Sequence, residues 1–225
     1  MIDWVRYGPQ AVLLRFAESV GEEAFQLGRA IIVELRRHPP AGLIECVPGF
    51  TTVLLRFHPN QTENIPWLGK YVVGQLAGLS PAAASTDVAI KSIPVVYDGE
   101  DLVSLADEKS LSVAEVIRLH SEPIYKVYLL GFSPGFPYLG DLNPKLHAPR
   151  RPTPRPRIAA GSVAIGGEHT GIYSVDSPGG WQIIGRTSVR MFAHDELCEA
   201  SRPDEVFFLK PGDRVRFVPV EGGAR

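Results

Sequence analysis

The sequence predicts an α+β protein in two parts, a mixed first part and a strand-rich second part. Three observations carry this expectation. Over residues 1–95, apolar residues recur by turns at strand and at helix spacing. After residue 95 the texture changes to short apolar runs separated by Gly- and Pro-containing turns. Between them lies a small-residue stretch, SPAAAST at residues 80–86, with the composition of a linker. The expected division is therefore 1–86 and 87–225.

In the first part, residues 11–16 (AVLLRF) read as an apolar strand. Ala24, Leu27, Ile31 and Leu35 then recur at helical spacing, and Pro39-Pro40 stops that helix. Residues 43–47 and 52–57 read as two strands joined by a turn at Pro48-Gly49. A second helical stripe follows in Leu68, Val72, Leu76 and Leu79, with Pro66 near its start, where the missing N–H has no partner to lose. Residues 88–96 are the next expected strand. The resulting order, βαββαβ, is that of a ferredoxin-like domain.

In the second part, Ser112-Val113-Ala114-Glu115 is a capping box and opens one short helix running to about His120. The rest reads as strands and turns: SVAIGG (162–167), TGIYSV (170–175), WQIIG (181–185), SVRMF (188–192), VFFL (206–209) and RVRFV (214–218). Lys210-Pro211-Gly212-Asp213 places Pro and then Gly at the centre of a turn, as type II requires. Many short strands at close spacing predict a closed barrel or a sandwich.

Composition excludes several classes. The 225 residues carry a net charge of −2 with 21% charged residues, so no global field favours nucleic acid or an anionic membrane. No apolar run is long enough to span a bilayer. The N-terminal MIDWVRYGPQAVLLRF lacks the basic region and unbroken apolar run of a secretory signal. Cys46 and Cys198 are far apart and form no CxxC, which fits a reduced, cytoplasmic setting. The six histidines do not fall at metal-ligand spacings, so no metal site is expected.

Several stretches invite chemistry. Gly131-Phe132-Ser133-Pro134-Gly135 matches G-x-S-x-G, but Pro134 has no N–H to give to an oxyanion hole, and the prolines and glycines that follow oppose the helix an elbow needs. Ser133 is thus read as a loop hydroxyl. PRRPTPRPR at residues 149–157 concentrates Arg150, Arg151, Arg155 and Arg157, whose planar forks match carboxylate and phosphate. This is either an anion site or a basic loop whose arginines are solvated or paired to acids elsewhere. GWQIIGRT at residues 180–187 imitates a phosphate loop, but its interior is a strand sequence and no helix follows. The preceding Ser177-Pro178-Gly179-Gly180 is a tight turn, open to close approach by a ligand or serving only a hairpin. His120 repeats on the apolar side of its helix, where it is an acid–base group facing a pocket or a core histidine. Asp98, Glu100 and Asp101 form an acidic turn, either solvated or able to hold a magnesium–nucleotide.

Taken together, GFSPGFPYLGDL, APRRPTPRPRIAAGSVAIGG, TGIYSVDSPGGWQIIGRTS and LKPGDRVRFVP resemble the family of the 5-oxoprolinase B subunit, also called KipI-like or allophanate hydrolase subunit 1. ECVPGF (45–50), PVVYDGEDL (94–102) and the His120-Ser121 pair extend the resemblance over nearly the whole chain. It implies a ferredoxin-like N-terminal domain and a cyclophilin-like β-barrel C-terminal domain. It also implies a subunit of an ATP-dependent 5-oxoprolinase, which opens the lactam of 5-oxo-L-proline to L-glutamate. A C-type and an A-type subunit are the implied partners. ATP, with magnesium, would be used by the assembled complex, with no metal held tightly by this chain. An inhibitor of a sensor histidine kinase, as the name KipI denotes, and a component of a urea- or allophanate-processing enzyme with a carboxyltransferase-type domain are the alternatives.

The implied substrate contacts are Phe132, Pro134, Gly135, Tyr138, Arg151, Arg157, Ser162, His169, Gly179, Gly180, Trp181 and Gln182, with His120, Arg150 and Arg155 as catalytic candidates. His169 stands where the family usually has glutamine, and Ile158-Ala159-Ala160-Gly161-Ser162 where it usually has Val-Pro-Ala-Gly-Ser.

Overall fold

Strand alternation organises the first unit, Met1–Thr86. In a computed structural model of the chain, which describes residues 2–80, 89–193 and 206–222, this unit contains β1 (Asp3–Arg6), β2 (Ala11–Arg15), α1 (Glu22–Arg37), β3 (Leu43–Pro48), β4 (Thr52–Phe57) and α2 (Ile65–Gln75). The strands form one antiparallel sheet in the order β1-β2-β4-β3. Period-2 alternation sends Val12 and Leu14 of β2 and Val53, Leu55 and Phe57 of β4 to the same face. There they meet Ile31 and Leu35 of α1 and Ile65, Leu68 and Val72 of α2, all buried in one cluster. Each such side chain contributes about 1.5–3 kcal/mol by leaving water. Gly69 of α2 has no Cβ because the Trp4 ring occupies that space.

The order of elements here is ββαββα, not the expected βαββαβ. In the expected order the closing strand lies beside the first one; here that edge belongs to β1, from the N-terminus. The strand expected over residues 88–96 is β5 (Ile90–Val95), and it pairs in the other unit. Of the SPAAAST stretch, only Ser80 lies within the described residues.

The second unit, Asp87–Arg225, continues with α3 (Leu102–Glu108), α4 (Val113–Ser121), β6 (Tyr125–Leu130), β7 (Pro137–Gly140), β8 (Arg155–Ile158), β9 (Ser162–Gly166), β10 (His169–Ile172), β11 (Ser177–Gly179), β12 (Gln182–Arg186) and β13 (Arg214–Pro219). Seven strands form a sheet in the order β12-β9-β10-β7-β6-β13-β5, in which β13 and β5 are parallel. Its two edges meet just beyond β5: the Val96 and Arg186 N–H groups each donate to the other residue's carbonyl at 2.9 Å. The sheet is thereby a nearly closed barrel, filled by Ile93, Val95, Tyr125, Val127, Leu139, Val163, Ile165, Ile184, Val215 and Phe217. β8 and β11 form a separate two-stranded ribbon.

The capping box of α4 is present in full, with the Ser112 hydroxyl accepting from the Glu115 N–H and the Glu115 carboxylate accepting from the Ser112 N–H. Gly212 has φ +97° and the Asp213 N–H donates to the Lys210 carbonyl, the geometry that the Pro-Gly turn demanded. Three expectations need correction. A second helix, α3, stands beside α4 and buries Leu102, Leu105 and Ala106. SVRMF and VFFL are not strands; they are joined by an isolated antiparallel bridge between Phe192 and Phe207. β6 and β7, not foreseen, supply two central strands. Cys46 is half-buried with a free thiol, whose pKa burial pushes up to about 11; Cys198 lies outside the described residues. Among the described residues, no helix is long and apolar enough to cross a membrane.

Candidate functional site

The Pro-, Gly- and aromatic-rich stretch is the turn of the β6–β7 hairpin. The Gly131 N–H donates to the Phe136 carbonyl at 3.1 Å, and the Phe136 N–H donates to the Ser133 carbonyl at 3.1 Å. A strand follows Ser133, not a helix, and the Ser133 hydroxyl lies 3.2 Å from the Ser174 hydroxyl. Ser133 is therefore not a nucleophile elbow. Phe132 takes φ +68°, a left-handed conformation that costs a non-glycine residue about 1–3 kcal/mol. The turn holds it with 61% of its surface exposed.

Phe136 is the hub of an aromatic cluster below. Its ring meets Phe132 at 5.4 Å, Tyr138 at 5.2 Å, Tyr173 at 5.2 Å and Trp181 at 5.3 Å, all near edge-to-face. That geometry is the one the ring quadrupoles favour. The cluster forms one wall and the floor of a cleft of about 290 Å³. The opposite rim is made by Arg150, Arg151 and Pro154 from the arginine segment and by Pro178, Gly179 and Gly180 from the turn before β12. Gly179 is required here, because a Cβ would overlap the Tyr173 hydroxyl. The two rim segments are tied together: the Arg151 N–H donates to the Gly180 carbonyl at 2.7 Å, and the Gln182 amide to the Pro149 carbonyl at 3.1 Å.

The four arginines divide sharply. Arg151 Nη1 donates to Asp101 Oδ1 at 3.0 Å, and Arg155 Nη2 donates to the same oxygen at 2.7 Å. Arg155 Nε also pairs with Glu100 at 2.8 Å. Arg157 points elsewhere and makes an exposed two-nitrogen contact with Asp176. Arg150 is exposed at the cleft and has no ion-pair or hydrogen-bond partner among the described residues. Both readings of the segment hold in part: three arginines are paired to acids and one is available for an anion.

His120 is the clearest correction. It does not line the cleft; it is wholly buried in the barrel core, stacked on Phe217 at 4.5 Å. The Thr170 hydroxyl donates to the Ala164 carbonyl at 3.0 Å, so it accepts from His120 Nε2 at 2.8 Å. Nδ1 then accepts from the Tyr97 hydroxyl at 2.7 Å. Burial lowers its pKa to about 3, so the ring is neutral. The residue types suited it to acid–base work, but its placement makes it a core histidine.

The remaining expected residues separate in the same way. Phe132, Tyr138, Arg150, Arg151, Gly179, Gly180 and Trp181 come together at the cleft. Gln182 supports the rim from behind. Arg155 lies one layer back, braced on Asp101 and Glu100. Pro134, Gly135, Arg157, Ser162 and His169 are not among its lining residues. Gly135, at φ +75°, turns toward the Met191 carbonyl and Phe207 instead. His169 in β10 is half-buried with its ring 6.5 Å from Tyr138, and burial lowers its pKa. Tyr173, Phe136 and Asp101 escaped the sequence reading as site residues; the one signal for Asp101 was the presence of an acidic turn and an arginine cluster in one chain.

Within the cleft the ionisable groups are Arg150, Arg151, Tyr138 and Tyr173. Burial raises both phenol pKa values, so the tyrosines remain neutral hydroxyls. No serine, cysteine, histidine or carboxylate lines it among the described residues. The arrangement suits binding: its aromatic faces can stack on a ring, and the Arg150 guanidinium, without a partner among the described residues, can pair with an anion. No nucleophile–base pair is assembled there.

The chain belongs to the family of the carboxyltransferase domain, subdomain C and D, which it matches over residues 2–200. Its relatives give the more particular likeness. It is 37% identical over 227 residues to the B subunit of 5-oxoprolinase from Bacillus subtilis, covering 95% of this chain and 90% of that protein. It is 51% identical over 134 residues to the corresponding 5-oxoprolinase B subunit of Escherichia coli O157:H7, covering 58% of each. Among solved structures, TTHA0988 superposes with a TM-score of 0.79 at 40% identity over 96% of this chain. This chain spans only 41% of that one.

Proposed function

We propose that this chain is the B subunit of an ATP-dependent 5-oxoprolinase and that its cleft receives 5-oxo-L-proline. The observation that carries the reading is the cleft itself, an aromatic box with a single uncommitted arginine, in a chain whose relatives bear that name. 5-Oxoproline is a small flat ring with one carboxylate. The ring fits against Phe132, Tyr138 and Trp181, and the carboxylate pairs with Arg150.

The lactam is a resonance-stabilised amide, and phosphorylation of its oxygen by ATP would supply the activation. The acidic turn at residues 98–101 is committed to ion pairs. Asp98 is paired with Arg186, Glu100 with Arg155, and Asp101 with Arg151 and Arg155, so the acidic turn has no carboxylate to spare. On this reading ATP and magnesium are used by the assembled complex. The work of this chain is to bind the acid, orient its ring and exclude water from one side of it. The absence of a nucleophile–base pair in the cleft supports a catalytic centre completed by other subunits, with C-type and A-type subunits as partners in the cytoplasm. The cyclophilin-like description of the second unit is supported by its nearly closed sheet.

The test is co-expression with the candidate partner subunits, followed by assay of the chain alone and of the purified complex with ATP and 5-oxoproline. The complex is expected to release glutamate and the isolated chain to release none. Turnover by the isolated chain, or a complex inert toward 5-oxoproline, would overturn the reading.

A further inference from the structure

We infer that Asp101 is a positioning residue that sets the charge class of the site, restricting it to acids carrying a single negative charge. The inference rests on the reading of the cleft as the acid-binding site. Asp101 is bound through its carboxylate by three different residues. Its carboxylate, 4% exposed, accepts from Arg151 and Arg155 through Oδ1 and from the Ile183 N–H through Oδ2 at 2.7 Å. Its own N–H donates to the Ile183 carbonyl at 2.9 Å. One buried residue thus joins the start of α3, the arginine segment and the start of β12.

The electrostatic consequence follows from the pairings. Arg151 and Arg155 are matched by Asp101 and Glu100, Arg157 by Asp176 and Arg186 by Asp98. Arg150 alone is left over at the cleft. A site with one uncompensated positive charge matches a monocarboxylate. A second carboxylate would find only ion-paired arginines, whose remaining donors, Arg151 Nε and Arg155 Nη1, are buried, and would lose its water for a smaller return. Opening a lactam that bears one carboxylate creates a second one. The same device therefore favours substrate over product, since discrimination is a difference between two affinities. Without the Asp101 charge, Arg151 and Arg155 would repel one another, and Arg151, already part of the rim, would be available to a second anionic group.

The experiment is a titration of the full-length chain with 5-oxoproline and with glutarate, a five-carbon dicarboxylate, by calorimetry, repeated on Asp101→Asn. The wild-type chain is expected to favour 5-oxoproline. Asp101→Asn is expected to shift the affinity ratio toward glutarate by about tenfold, the equivalent of about 1.4 kcal/mol. Circular dichroism establishes that the variant is folded. If Asp101→Asn does not fold, Glu100→Gln decides, because it withdraws a carboxylate from Arg155 at an exposed position and is expected to shift the ratio the same way, by about threefold. A ratio unchanged in a folded variant overturns the assignment of Asp101 while leaving the cleft reading intact. A wild-type chain that binds neither acid overturns the cleft reading itself, and this inference with it.

Discussion

Two polar constellations occupy the second unit and have opposite character. The first, His120 with Tyr97 and Thr170, is buried and closed: each ring nitrogen has one partner, and the threonine hydroxyl donates its hydrogen bond to the Ala164 carbonyl. The second, the arginine segment with Asp101, is ion-paired at its base, where Arg151 Nε and Arg155 Nη1 still lack a hydrogen-bond partner among the described residues, and open at its rim, where Arg150 has none. Both contain residue types suited to catalysis. The difference teaches that residue chemistry nominates a site, whereas unmet hydrogen-bonding and charge demand at a surface identifies it. A saturated network in a core stabilises the fold; a network with one group left over binds something.

The largest expected effect breaks the closed network. His120→Ala leaves the Tyr97 hydroxyl and Thr170 short of a partner and opens a cavity, and is expected to cost about 3 kcal/mol in urea-induced unfolding. The same residue predicts a pH dependence. Its pKa falls from 6.5 in the unfolded chain to about 3 in the folded one, so its neutral form carries the stability. That contribution is complete above about pH 6.5 and is lost as pH falls toward about 3, at up to about 1.4 kcal/mol per unit. A His120→Gln variant should show a flatter profile over that window. An unchanged profile would mean that another group controls acid sensitivity.

The open constellation should respond in activity and not in stability. Arg150→Ala in the assembled complex is expected to reduce kcat/KM for 5-oxoproline about 100-fold, or about 2.7 kcal/mol, while the complex still forms. Arg157→Ala, which removes an arginine of the same segment that faces Asp176, should leave kcat/KM unchanged. Equal losses in the two would show that the segment acts only as a basic surface. Phe132→Ala removes the exposed aromatic lip and should raise KM about tenfold, because it deletes a contact face of the cleft. The smallest effect is that of Ser133→Ala, expected to remain well within tenfold in rate, or about 1.4 kcal/mol. A loss of about 10⁴-fold would mark it as a nucleophile after all.

What was legible in the sequence is what short-range physics determines. The Ser112–Glu115 capping box, the Lys210–Asp213 turn and the strand nature of GWQIIGRT each depend on bonds or clashes among a few adjacent residues. The rejection of Ser133 as an elbow belongs here as well, because the missing N–H of Pro134 is a property of one residue. The aromatic and arginine segments that build the cleft were visible for the same reason: their unusual composition is local.

The tertiary structure alone decided the long-range matches. β5 pairs in parallel with β13, with Ile90 opposite Arg214, and leaves the edge beside β2 to the short N-terminal β1. Strand composition does not encode which distant edge will be reached first or closed best. The same long-range matching settled His120 and Asp101, each of which had two readings. The acid–base candidate found Thr170 and Tyr97 in the core, while one acid of a turn that read as solvated found Arg151 and Arg155 about fifty residues away. A side chain's reactivity depends on whether its charge and hydrogen bonds are already met, and the groups that meet them are brought together only when the barrel closes.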